Sequence, residues 1–206
     1  MKSKALYRLA RRTWYATLLV QGFTERNGAY LRIFDSGVVH QLALDKDPHG
    51  AETFRVMCGV DAVQLKEGAG PSYAFKKYDG LCHLTPKGWD YNSGRWPCET
   101  EDEACASLIA LLPLVLELAL PWLDPISTLS DVGNEINEVR NPGLGWMKAR
   151  LYGLDGNFAR ACDAIERYAA WAAKPRNWGT RELQLEDLER AARIRQEIEE
   201  AKSTPR

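Results

Sequence analysis

The sequence predicts an α+β fold: an antiparallel sheet of four to five strands covered by helices, followed by a helical C-terminal region. Three observations carry this expectation. Residues 30–60 hold the clearest two-residue alternation in the chain, the period of a strand that turns one face to a core. Residues 104–122, ACASLIALLPLVLELALPW, form an apolar run that follows a capping signal, Thr100 with Glu103 three residues on. Beyond residue 126 the chain breaks into shorter segments of helical spacing, separated by Asn-Pro-Gly and by paired glycines. A sheet domain over residues 1–125 and a helical region over 126–206 follow.

Taken in order, residues 3–21 read as a helix closed by Gly22. Leu6, Leu9, Ala10, Thr13, Thr17 and Val20 share a stripe that Trp14 and Leu18 widen. Lys4, Arg8, Arg11 and Arg12 form a second, basic stripe. Strands are expected over residues 30–35, 38–44 and 53–60, with Ser36-Gly37 as a tight turn between the first two. A two-residue loop would set Ile33 opposite His40 and Leu31 opposite Leu42. His40 would then lie on the apolar face, with Tyr30, Arg32 and Phe34 against Val39, Gln41 and Ala43 on the other. SYAFKKY and GLCHL are further strand candidates, and KGWDYNSGRWPCE, residues 87–99, reads as an irregular loop.

The apolar run has the length of a membrane span. Glu117 in its interior, its two prolines and the capping signal before it favour a buried helix, kinked or divided at Pro113; no membrane contact is expected. Helices over residues 128–137, 144–152, 157–173 and 180–202 complete the chain. The last has apolar positions Leu185, Leu188, Ala192, Ile194 and Ile198. Residues 144–173 look like one tetratricopeptide-type helix pair, which without stacked copies reads as a packing hairpin.

The order Gly22-Phe23, Tyr30-x-Arg32, Val38-Val39-x-Gln41, Phe54-x-Val56-x-x-Gly59-Val60, Cys82-His83-Leu84, a loop ending in Trp96, and Leu120-Pro121-Trp122-Leu123 resembles the bacterial domain-of-unknown-function family 4304 across residues 5–130. The resemblance implies an α+β fold. It implies no activity, cofactor or catalytic set.

Composition narrows the function classes. A net charge of −1 gives no global attraction to nucleic acid or anionic membrane, although residues 1–70 carry ten Lys/Arg against seven Asp/Glu and residues 101–206 thirteen against eighteen. Five irregularly spaced cysteines read as reduced thiols, and a cytoplasmic location is expected. Cys82, His83, Cys98 and Cys105 lack the paired spacing of a zinc site, so no metal and no cofactor are expected. GAGPS lacks the lysine that a phosphate loop needs.

The residues then point to binding. Arg32, Gln41 and Arg55 would form a row across three strands, flanked by Tyr30 and Phe34. Trp89, Arg95 and Trp96, with Tyr91, would supply a rim. The expected function is a non-enzymatic protein-interaction module of inhibitor, immunity or adaptor type. One alternative is a nucleic-acid-binding protein using Lys4, Arg8, Arg11 and Arg12 with Arg32, although a solvated helix surface explains that stripe more simply. A further alternative is an enzyme with a histidine and carboxylate site at His40, His83 or His49.

Overall fold

The computed structural model describes residues 1–26, 28–47, 52–65, 83–85, 88–90, 95–139, 141–175 and 180–204. The second expected strand pair (72–78 and 80–84) therefore lies largely outside the described residues, as do His49, Cys82 and Tyr91. Contacts divide the chain into two compact units, Met1–Val63 with Pro71–Ile126, and Gln64–Gly70 with Ser127–Arg206.

In the first unit, α1 (Ser3–Val20) ends in Gly22 at φ +82, the left-handed position at which a glycine stops a helix without strain. The strands are β1 (Thr24–Arg26), β2 (Ala29–Ile33), β3 (Val38–Lys46), β4 (Thr53–Ala62), β5 (His83–Thr85), β6 (Gly88–Asp90) and β7 (Trp96–Pro97). They form one antiparallel sheet in that order, except that β7 pairs with β4. The α+β expectation holds. The segment read as an irregular loop contributes β6 and β7, so short strands extend the sheet at both ends.

The hairpin register differs from the expected one. Arg32, not Ile33, lies opposite His40, and Tyr30 lies opposite Leu42. Phe34 N–H donates to Val38 O at 2.9 Å and Gly37 N–H to Phe34 O at 2.8 Å, with Gly37 at φ +85. The loop therefore has three residues, the arrangement in which glycine takes the left-handed position. The pleat period is two, so this one-residue difference turns every β2 side chain to the other face relative to β3.

Tyr30, Arg32, His40, Leu42 and Leu44 consequently share a face with Phe54, Val56, Cys58 and Val60. This is the core face. Trp14 of α1 lies 5.9 Å from Tyr30, centroid to centroid, and both are fully buried. Leu6, Leu9, Ala10 and Leu18 complete the buried stripe of α1, whereas Val20 is 79 % exposed, past the point where the helix leaves the core.

The apolar run forms α2 (Glu101–Leu114), a π turn (Val115–Ala119) and α3 (Leu120–Leu123). Thr100 and Glu103 make the expected reciprocal cap, with Glu101 and Asp102 also in the first turn. Pro113 removes the donor that would meet the carbonyl four residues earlier, and the π turn follows two residues on. Trp14 Nε1 donates to Leu108 O at 2.8 Å and Ser107 Oγ to Pro97 O at 2.8 Å, which fixes one side of α2 to α1 and β7. By length and composition this helix could cross a membrane; its side bearing Ala104, Ser107, Leu108 and Leu111 is buried as a core stripe.

The second unit contains α4 (Leu129–Glu135), α5 (Gly145–Leu154), α6 (Phe158–Ala172) and α7 (Arg181–Ser203). Thr128 and Asp131 cap α4, and Thr180 caps α7. Tyr152, Ala161, Ile165, Tyr168, Ile194 and Ile198 centre its core. Ala191 rather than Ala192 is the buried alanine of α7, and Leu185 is exposed. Tyr168 Oη donates to Asp187 Oδ1 at 2.7 Å; burial first, then this bond to a carboxylate, push the phenol up to about 12.

Candidate functional site

The expected binding row does not assemble on one face. Arg32 points to the core face, while Gln41, opposite Gly59, and Arg55, opposite Asp45, lie on the other. Tyr30 and Phe34, expected to flank an open surface, belong to the core face. Tyr30 is 1 % exposed and its hydroxyl has no hydrogen-bond partner among the described residues; burial raises its pKa. The second face is itself partly covered, since Val39, Ala43 and Asp61 are buried on it.

The expected rim is also divided. Trp96 pairs with Phe54 in the sheet and is 6 % exposed, so it packs inward. Arg95 Nη1 lies 2.6 Å from Asp47 Oδ2, whose side chain is only 4 % exposed. Arg95 thereby supplies a counter-charge to this buried carboxylate. Trp89 sits in β6, opposite Leu84.

The register instead brings together a set not visible in the sequence: Arg32, His40 and Asp124. His40 is fully buried. Its Nε2 lies 2.6 Å from Ile126 O, and its Nδ1 faces Arg32 Nη2 at 2.8 Å and Nε at 3.3 Å. A carbonyl only accepts and a guanidinium only donates, so the ring is neutral with the proton on Nε2. Its pKa falls from 6.5 to about 4. Burial is the main cause and the Arg32 charge adds to it; the Ile126 bond and the Asp124 charge oppose it.

Arg32 is clamped in turn. It donates to Asp124 Oδ1 at 2.5 Å and to Gln21 O at 3.2 Å. Its guanidinium lies 4.9 Å from the Phe23 centroid and 5.5 Å from that of Phe34. The Phe34 ring packs edge-on against His40 at 4.7 Å. The group ties the end of α1, the β2–β3 hairpin and the end of α3 into one polar junction. Both His40 nitrogens are occupied and the ring has no path to solvent, so in this arrangement it holds structure and presents no lone pair to a substrate. A histidine inside an apolar alternation was the one signal for it, because a buried imidazole needs partners.

Two surface features remain. Helix α2 is apolar around its whole circumference, yet Ala106, Ile109, Ala110 and Pro113 are exposed, with Ile109 60 % so. Beside them, Thr13 and Thr17 of α1 and Leu112 and Leu116 wall an open groove of about 380 Å³ ending at Glu117. The second feature is a wider, polar cleft of about 450 Å³ between α1 and the β1–β2 turn. Among the described residues, no group of three or more His, Cys, Asp or Glu side chains is placed to hold a metal ion. No protein-family model, curated protein or solved structure matches the chain.

Proposed function

We propose that the chain is a non-catalytic protein-interaction module, and that the groove between α1 and α2 receives an apolar helix of a partner protein. The supporting observation is the uncovered outer side of α2. A helix apolar on all sides is normally buried on all sides, yet only 39 % of the most apolar stretch of the continuous segment Glu101–Leu123, of which α2 is the first part, is. An exposed apolar strip bounded by polar residues marks an interaction surface. Here Glu117 closes one end, and the threonine hydroxyls of α1 border the side.

The dimensions favour a helix as occupant. From Ala106 to Leu116 the strip is eleven residues long, about 15 Å end to end at the rise of an α-helix. That accommodates about three turns of a partner helix, which anchors through side chains at positions one, four, five and eight of its apolar face.

The test is capture from the source cells with the wild-type chain and with the double variant Ile109→Glu/Leu116→Glu. We expect a stoichiometric partner with the wild type and its loss with the variant. Ile109 is exposed and Leu116 half-buried, so the single variant Ile109→Glu serves as the fold control, and its melting temperature should shift by no more than about 3 °C. A variant that retains the partner refutes this docking site, and a wild type that only pairs with itself replaces the partner helix by a second copy.

A further inference from the structure

We infer that the cleft between α1 and the β1–β2 turn holds the phosphate backbone of a nucleic acid strand. The cleft is separate from the apolar groove: Lys4, Arg8 and Arg11 line it from α1, and Arg26 lines it from β1.

This charge is assembled at a local cost. Lys2 stands at the start of α1 with no side-chain cap, and the first turn contains no acidic residue. Lys4 therefore sits at the positive end of the helix dipole, where a carboxylate is the favourable choice. Arg26 joins them because the β1–β2 turn presses against α1. Gly28 sits at φ +82, and a Cβ there would come within 2.6 Å of the Tyr7 ring; only glycine permits that approach.

The charge is only partly compensated. Glu25, the carboxylate that lines the cleft, accepts from Gly28 N–H at 2.9 Å, which turns it into the turn. Lys4, Arg11 and Arg26 have no carboxylate within pairing distance among the described residues. Arg8 reaches Glu101 only at 3.9 Å, with both side chains largely exposed, a geometry worth little. Arg12 of the basic stripe does not line the cleft, and Arg32 is committed to Asp124 and His40.

The cations do not converge on a point. Lys4 and Arg11 are seven residues apart, about 10 Å along the helix, and Arg26 faces them from the other side. A single compact anion cannot meet all four, whereas successive phosphates of one strand can. Tyr7, half-buried, lines the cleft beside these cations, and an aromatic in a basic groove is how single strands are gripped without sequence preference.

The test is a salt titration of the full chain against a short fluorescent oligonucleotide, single-stranded and as a duplex. Between about 50 and 200 mM salt we expect the logarithmic slope for the single strand to be about −2 to −3, as three to four neutralised phosphates require. Arg11→Ala and Arg26→Ala should each reduce that slope by about one and weaken binding several-fold, whereas Arg195→Ala should do neither. Absence of binding at the low-salt end, slopes unmoved by Arg11→Ala and Arg26→Ala, or equal binding of a polyglutamate peptide would each overturn the assignment. Preference for the duplex would overturn the single-strand geometry.

Discussion

Replacing Arg32 with Met is expected to lower stability by about 2–4 kcal/mol, read as a fall in the urea midpoint at unchanged slope. Methionine keeps much of the packing against Phe23 and Phe34. What it removes is the donor set: His40 Nδ1 and Gln21 O lose the guanidinium together. The buried imidazole nitrogen then has no partner and no water, which is the costly outcome of breaking a buried polar pair. The salt bridge is the smaller part. Asp124 is 55 % exposed, so Asp124→Asn should cost no more than about 1 kcal/mol. A loss for Arg32→Met no larger than that for Asp124→Asn would show that the junction is held by surface charge instead.

Acidification should destabilise the fold through His40, and the sign follows from its environment. Its folded pKa, about 4, lies below the ordinary 6.5, so the unfolded chain takes up the proton first. The contribution is fully present above pH 6.5 and is lost as the pH falls toward 4. With about 1.36 kcal/mol for each unit, the loss is on the order of 3 kcal/mol. His40→Gln removes the titration while leaving an amide that can still donate and accept. Denaturation at pH 7 and near pH 4.5 should therefore show a steeper decline for the wild type than for this variant; parallel declines would contradict the buried neutral imidazole.

Both expectations rest on a junction that local sequence signals do not reveal. Thr100 with Glu103 and Gly22 at the end of α1 were legible because caps are decided within four residues. The hairpin register was not. Ser36-Gly37 suits a two-residue loop as well as a three-residue one, and Leu31, Val39 and Ala43 make the second face apolar enough to hide the choice. Gly37 at φ +85 and the Phe34–Val38 hydrogen bond settle it. That single residue moved Arg32 from the proposed open row to the core. Its carboxylate partner is 92 positions away, a separation at which no periodicity operates. The apolar run was read correctly as a capped helix, but its pattern alone could not separate the covered side from the uncovered one. Arg26 escaped notice beside the basic stripe because its approach depends on Gly28 meeting Tyr7.

Hydroxyl-radical oxidation of residues 106–116, measured on the chain alone and bound to its captured partner, tests the interaction surface most directly. The account predicts that Ile109, Pro113 and Leu116 are oxidised readily in the free chain and are strongly protected in the complex. Equal oxidation in both states, with protection elsewhere on the chain, would contradict it.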